Sequence, residues 1–252
     1  MTEILNLDIH PTYGRVRQRS KGFKKFALRF LPLHTLKHLQ AEIPLILLRL
    51  KSRRIRKRYD NSDNLLVNIA PGVHAKAGWV NVDVWKAPLV DCLYDCRKNL
   101  PFPDASARGI FCEHFFEHID YTEEVPYFLS ECHRVLKAGG VLRLILPDAE
   151  KYLRAYCQGG WEEFERIRPL DSGHTDSYFH CEYNTPMELL NVVFRQGHEH
   201  KFAYDFETLR FLLRRYGFSE ILLQEYSKSM MPELCLDQAA RASESIYVDA
   251  RK

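Results

Sequence analysis

Between Leu65 and Asp148 the chain reads 65-LLVNIAPG-72, 79-WVNVDV-84, 95-DCRKNLPFPD-104, 110-IFCEHFFEH-118 and 133-HRVLKAGGVLRLILPD-148, and this series decides the fold. Short apolar runs that end at Gly, Pro or Asp alternate with helical patterns, so the class is α/β with a mostly parallel sheet. In such a sheet a ligand belongs at the carboxyl edge of the strands.

Leu65 to Ile69 has the apolar, β-branched character of a buried strand and empties into Ala70-Pro71-Gly72, where the backbone must turn sharply. Gly72 lets a ligand approach the main chain closely. The next run, Trp79 to Asp83, ends on a carboxylate, where nucleotide-binding folds use an acid to accept hydrogen bonds from a ribose diol. Asp83 is therefore the expected ribose ligand. A dinucleotide fingerprint would need three glycines, a phosphate-cradling helix and an acid roughly 20 residues further on, and this pattern is missing. Val73 to Gly78 leave room for a helical turn or two at most, whereas a full parallel crossover takes about a dozen residues. A long helix dipole serves to hold phosphate. S-adenosylmethionine (SAM) carries no phosphate, so the spacing suits SAM better than NAD or ATP.

The series resembles the class I SAM-dependent methyltransferases, and in particular a bacterial branch found beside glycosyltransferases in cell-surface polysaccharide gene clusters. VNIAPG, GWVNVD, DCRKNLPFPD, EHFFEH, RVLKAGG and LPD match that branch in order, and the resemblance runs from about Leu65 to the C-terminus. It implies a Rossmann-like seven-stranded sheet of order 3-2-1-4-5-7-6, with helices on both faces and the last strand antiparallel. It also implies that Asn68, Ala70 and Gly72 line the methionine part of SAM and that Asp83 takes the ribose. Asp95 with Cys96 would lie against the adenine, and Glu113 completes the expected cofactor set. The implied activity is O-methylation of a hydroxyl on a glycan or glycoconjugate, in the cytoplasm of a bacterium. Three positions depart from the pattern: Ala70 replaces a usual glycine, Ala138 replaces a usual proline, and 106-SARG-109 replaces a serine-phenylalanine-aspartate sequence. A Cβ at position 70 is expected to weaken cofactor binding without abolishing it.

Charge divides the chain. Residues 1–60 hold 15 Lys+Arg against 4 Asp+Glu, a surplus of 11, so with a net charge of +3 overall the remaining 192 residues carry −8. The segment contains KGFKKFALRF, AEIPLILLRL and KSRRIRKR, which predicts a basic amphipathic helical extension over 1–60, interrupted at Pro32 and Pro44, ahead of a methyltransferase domain over 61–252. Its apolar stretch falls short of the roughly 20 residues a membrane span requires. It also lacks the small-residue cleavage site of a secretory signal. Two readings of residues 15–58 stay open: an element on anionic lipid, peripheral to the inner face of the membrane, or a solvated cap or oligomer contact. No base-reading module accompanies KSRRIRKR, so nucleic acid is not the expected partner. The sequence does not set the oligomeric state.

Glu113-His114-Phe115-Phe116-Glu117-His118 holds the densest chemistry. Read as His-x-x-Glu-His it matches an inverted zinc-protease motif, with His114 and His118 one helical turn apart on one face, and zinc hydrolysis is one alternative. Its place just after a predicted strand, inside the methyltransferase series, favours an active-site loop with no metal. The sulfonium of SAM is already a good leaving group, so the enzyme must align the acceptor and remove its proton. Histidine titrates near the working pH. His114 is the first candidate base and His118 the second, with Glu117 orienting an imidazole. The other alternative is a binding protein that keeps the fold and has lost turnover, suggested by Ala70 and SARG.

Tyr121 to Leu136 carries apolar residues at helical spacing and ends at Ala138-Gly139-Gly140, which predicts a scaffold helix before a buried strand over Val141 to Leu146. Asp148 either contacts the acceptor or caps the helix starting at Ala149, and the cap is preferred. Residues 149–204 form an aromatic, histidine-rich insertion that in the family builds the acceptor pocket. Tyr152, His198 and His200 are the expected substrate contacts, the last two within GHEHKFAYD. An amphipathic helix over Asp205 to Tyr216 and strands over Gly217 to Leu223 and Ser245 to Ala250 complete the sheet. The cysteines at 92, 96, 112, 132, 157, 181 and 235 are odd in number and scattered through the predicted core, as in a reducing compartment. Cys92 and Cys96 lack a second pair at zinc-site spacing.

Overall fold

A computed structural model describes residues 33–176, 181–196 and 199–252. His198 and residues 15–32 of the basic segment lie outside them. Five strands run parallel: β1 (Leu65–Ile69), β2 (Val80–Asp83), β3 (Cys92–Leu93), β4 (Ala107–Glu113) and β5 (Leu136–Pro147). The hairpin of β6 (Thr175–Asp176) and β7 (Cys181–Glu182) stands apart. β9 (Ser245–Arg251) then inserts antiparallel between β5 and β8 (Glu220–Gln224). The seven-stranded order is β3-β2-β1-β4-β5-β9-β8. With the hairpin left out of the count, this is the expected order and the expected antiparallel strand.

The central strands are apolar on both sides because both sides are covered. Ile110, Cys112, Leu142, Leu144 and Val248 enter the main core, while Phe111, Ile145 and Tyr247 enter a smaller one on the opposite face. The main core packs against α3 (Val125–Val135) and α7 (Phe206–Arg215), after α1 (Leu33–Leu50) and α2 (Ser52–Tyr59). In α3, Val125, Phe128, Leu129, Cys132 and Val135 are all buried, the stripe its spacing predicted. The helix stops short of Ala138-Gly139-Gly140, because Leu136 is already extended and pairs with Ala107 as the first residue of β5.

The opposite face is covered by the segment between β8 and β9, which forms only two short 3-10 turns, Pro232–Leu234 and Ala239–Arg241. Arg143 ties this segment down. Its guanidinium, fully buried in β5, meets Asp237 at 2.5 Å and Asp249 at 2.8 Å and donates to the carbonyl of Lys228.

Residues 42–59 pack on the rest of the chain. Tyr59 is buried against Phe102, ring centroids 5.1 Å apart, and Ile55 packs on the main core. From α1, Arg49 pairs with Asp95 and Glu42 with Arg97. The insertion builds its own core from α4 (Ala149–Gln158), α5 (Trp161–Ile167) and α6 (Pro186–Arg195). α6 begins with a Thr185/Glu188 capping box and Pro186 in its first turn. No described helix is long and apolar enough to cross a membrane. The six cysteines with described side chains are free thiols, and Cys92 and Cys112 are core residues.

Candidate active site

A cavity of about 270 Å³ opens at the carboxyl edge of β1, β4 and β5. This is where the chain leaves β1 toward one side of the sheet and β4 toward the other, the switch point at which open α/β sheets bind ligands. A larger hollow of about 400 Å³ between α2 and the loop Leu100–Asp104 lies away from this edge, and its Glu131 and Arg134 pair with each other.

The cofactor side is built by the turn after β1. Ala70 and Gly72 both take left-handed backbone, φ +52 and +53, and a Cβ at Gly72 would have no neighbour within 4 Å, so the turn is an open cradle. Asp83 braces it: one carboxylate oxygen accepts the Gly72 amide at 2.9 Å and the other the Trp85 amide at 2.9 Å. Each oxygen keeps acceptor capacity for a ribose hydroxyl. Residues 71–79 form turns without any helix, less than the one or two turns expected. Gly72, Ala70 and Asp83 therefore fit the methionine and ribose parts of SAM.

Asn68, Asp95 and Glu113, also expected on the cofactor side, have protein partners. Asn68 is buried and donates to Asn81 inside the sheet, away from the cavity. Cys96 is core. Asp95 is clamped by Arg97 at 2.9 Å and Arg49 at 2.7 Å. Burial would raise its carboxyl, and the two guanidiniums outweigh this and hold it below the usual range. Asp95, Cys96 and Asp83 all lie outside the residues that border the cavity. Glu113 borders it, yet its oxygens accept the backbone and side-chain amides of Gln238 at 2.9 and 3.0 Å.

After β4 the chain departs from expectation. His114 adopts φ +51 and only Phe116–His118 forms a single 3-10 turn, so His114 and His118 do not share a helix face. The geometry required by the inverted zinc-protease motif is absent. The left-handed turn swings the His114 ring between two partners, Glu117 Oε1 at 3.2 Å from Nδ1 and Ser245 Oγ at 3.1 Å from Nε2. With Glu117 ionised, Nδ1 must donate, which leaves Nε2 as the basic nitrogen accepting from the Ser245 hydroxyl. Strained backbone of this kind gathers at functional sites.

Glu117 is the hub. Burial alone would raise its carboxyl, but the hydrogen bond from His114 and the imidazoles of His118, His114 and His200 hold it down to about 2. His118 Nε2 lies 4.0 Å and His200 Nε2 3.9 Å from Oε1, and the His118 and His200 rings meet edge to face at 4.7 Å. Burial lowers both imidazoles, which favours their neutral form. Within the described residues 199–205, the Lys201 amide donates to the Glu117 carbonyl at 2.7 Å.

On the acceptor side, Asp148 is the helix cap: it accepts the amides of Glu150 and Lys151 and does not border the cavity. Tyr152 is fully buried and donates to Glu244 at 2.6 Å, so it supports the wall from behind. The wall itself is Arg168, Arg241 and Glu244, the carboxylate meeting the two arginines at 2.9 and 2.6 Å. These residues and Ser245 were not anticipated, since they sit in no motif and converge only through the tertiary fold.

Residues 64–144 match the family described as a methyltransferase domain. Over this third of the chain the sequence is similar to a methyltransferase domain. The matched stretch contains Gly72, Asp83, His114 and Glu117, while Arg168, Arg241 and Glu244 lie beyond it. No curated protein matches the chain. Among solved structures, a SAM-dependent methyltransferase from Archaeoglobus fulgidus is 16% identical with a TM-score of 0.43, covering 81% of this chain and 94% of that one. A possible histamine N-methyltransferase from Thermotoga maritima is 16% identical with a TM-score of 0.43, covering 86% and 96%. Phosphoethanolamine N-methyltransferase 2 from Haemonchus contortus, in complex with SAM, is 12% identical with a TM-score of 0.41, covering 80% and 52%.

Proposed function

We propose that the methyltransferase methylates a hydroxyl of a glycan or glycoconjugate, with His114 as the proton acceptor. The observation that carries this reading is the His114–Glu117 pair, 3.2 Å apart, at the strand edge beside the Gly72 turn. Bound SAM supplies the methyl group: its C–S bond breaks as the C–O bond forms, and the electron pair returns to sulfur. Gly72 and Asp83 would hold the methionine and ribose ends of SAM. His114 exchanges the Ser245 hydroxyl for that of the acceptor and takes its proton on Nε2. Glu117, kept ionised, steadies the imidazolium that results. Arg168, Arg241, Gln238 and His118 give the cavity a polar lining suited to a polyhydroxylated acceptor. The paired His114 and Glu117 favour turnover over a binding-only role.

Residues 42–59 support peripheral attachment at the inner face of a bacterial membrane. Ile43, Ile46, Leu47 and Leu50 are exposed along one stripe of α1, beside the exposed Arg53, Arg54 and Lys57 of α2. An apolar stripe next to basic side chains suits an anionic bilayer. Sedimentation with anionic vesicles should occur at low salt and fall steeply as salt rises. Indifference to such vesicles at low salt removes this part.

The chemistry is tested by incubating the protein with SAM and a panel of glycan acceptors, followed by mass spectrometry. The expected product is one methylene unit heavier and carries the methyl on oxygen. Methyl transfer to nitrogen only, or no product from any hydroxyl acceptor while SAM binds, rejects the proposal.

A further inference from the structure

We propose that Glu117, His118 and His200 form a binding site for a first-row divalent cation such as Mn²⁺, Co²⁺ or Zn²⁺. One ligand atom from each lies within 4.8 Å of the others, with Glu117 Oε1 at 4.0 Å from His118 Nε2 and 3.9 Å from His200 Nε2. Metal bonds of about 2.0 to 2.2 Å hold neighbouring donors roughly 3 to 4 Å apart, so small side-chain rotations close the site.

Two features outside the cluster's composition point to a ligand. Glu117 Oε2 is buried and has no hydrogen-bond partner among the described residues, although Glu117 lines the cavity. An ionised oxygen left in that state is costly, and a cation would satisfy it. His200 is the second. Its Nδ1 donates to the carbonyl of Val193, which turns the Nε2 lone pair toward Glu117. A metal-bound histidine is oriented by this same device, its other ring nitrogen donating to a fixed acceptor.

The donor set selects the ion. Two imidazoles and one carboxylate suit first-row transition ions and Zn²⁺, whereas Mg²⁺ and Ca²⁺ prefer all-oxygen sites. Three protein ligands leave further positions open, and all three residues line the cavity. The role of the ion rests on the methyl-transfer reading: it would dock the acceptor hydroxyl beside His114. His114 and the cation would then share the Glu117 carboxylate.

The site is tested on the full-length, tag-free, chelator-stripped protein by calorimetry with Mn²⁺ and Mg²⁺ separately, and by the paramagnetic resonance of bound Mn²⁺. About one equivalent of Mn²⁺ should bind, more tightly than Mg²⁺, with nitrogen couplings from imidazole. His118→Ala and His200→Ala should each weaken Mn²⁺ at least tenfold. His118 is partly exposed, so its variant decides if the His200 variant does not fold. Absence of Mn²⁺ binding, Mg²⁺ binding as tight, or affinity unchanged in the His118 variant overturns the site. SAM affinity is measured in the same samples. Loss of SAM binding with Mn²⁺ retained rejects the methyl-transfer reading and leaves the cation site standing.

Discussion

His114 Nε2 and Ser245 Oγ lie 3.1 Å apart, joining residues 131 positions distant: the end of β4 and the start of β9. Glu117 fixes the other ring nitrogen, so Ser245 positions the lone pair that receives the acceptor proton. His114→Ala should lower kcat roughly 10²- to 10⁴-fold while SAM affinity holds. Ser245→Ala should cost less, about tenfold in kcat. Full turnover in the His114 variant on a competent acceptor moves the base elsewhere.

Asp83 has two tasks, bracing the Gly72 turn and meeting the ribose. Asp83→Ala should weaken SAM by about 1.5 to 3 kcal/mol, the scale of hydrogen bonds to a charged group, and also lower Tm because two amides lose their acceptor. Calorimetry separates the effects: lower Tm with unchanged SAM affinity leaves Asp83 a brace only.

The cofactor half was readable because its parts are local. Each strand carries its own terminating residue, so Gly72 and Asp83 fall at strand ends by spacing alone, and strand order follows from the succession. Misplacements arose where contacts outrank spacing. An i, i+4 pair of histidines looks the same whether the chain enters a helix or, as at His114, turns left-handed first. Asp95 follows β3 as its motif implies, and its pairing with Arg49, 46 residues earlier, is a contact that no local pattern announces. Glu244 and Ser245 reach the site because β9 inserts between β5 and β8, and no local pattern announces which residues will precede such a strand.

Arg143 sits in an otherwise apolar strand, facing Asp237 and Asp249 with all three side chains fully buried. Removing the cation leaves two buried carboxylates unpaired. Arg143→Met should therefore destabilise by about 3 to 5 kcal/mol in denaturant unfolding. Activity should fall with it, since the same segment brings Gln238, Arg241 and Glu244 to the cavity. A loss near zero would show that the segment is held by its apolar contacts alone.

Acid should unfold the site in two stages. Burial lowers His118 and His200 below the ordinary 6.5, against the opposing pull of Glu117, and of Glu199 on the first and Glu244 on the second; His114 pushes both further down. Below 6.5 the unfolded chain binds protons that these folded imidazoles refuse, so stability is complete above that value and is lost as pH falls through the lowered ones. Glu117, held at about 2 instead of 4.5, adds a second loss at lower pH. Tm should be flat above about pH 7 and decline as pH falls below about 6.5, with a shallower slope in His200→Gln. A flat Tm across that range contradicts the neutral, buried state of both rings.

Ala70 is an L-residue held at φ +52 by its position between β1 and the Gly72 turn, its amide donating to the carbonyl of Val82 at 2.8 Å. Left-handed backbone costs a residue with a Cβ roughly 1 to 2 kcal/mol. Glycine removes this cost but frees the unfolded chain, which offsets part of the gain. Ala70→Gly should therefore stabilise by a net of about 0.5 to 1 kcal/mol. Ala70 also lines the cavity, so SAM affinity should stay level or rise in the glycine variant. Ala70→Val should do the reverse, since a β-branched residue tolerates positive φ poorly and adds bulk toward the cofactor. Urea unfolding and SAM calorimetry on both variants decide the matter: a destabilised or weaker-binding glycine variant would mean that the Ala70 methyl makes a favourable contact that outweighs its backbone strain.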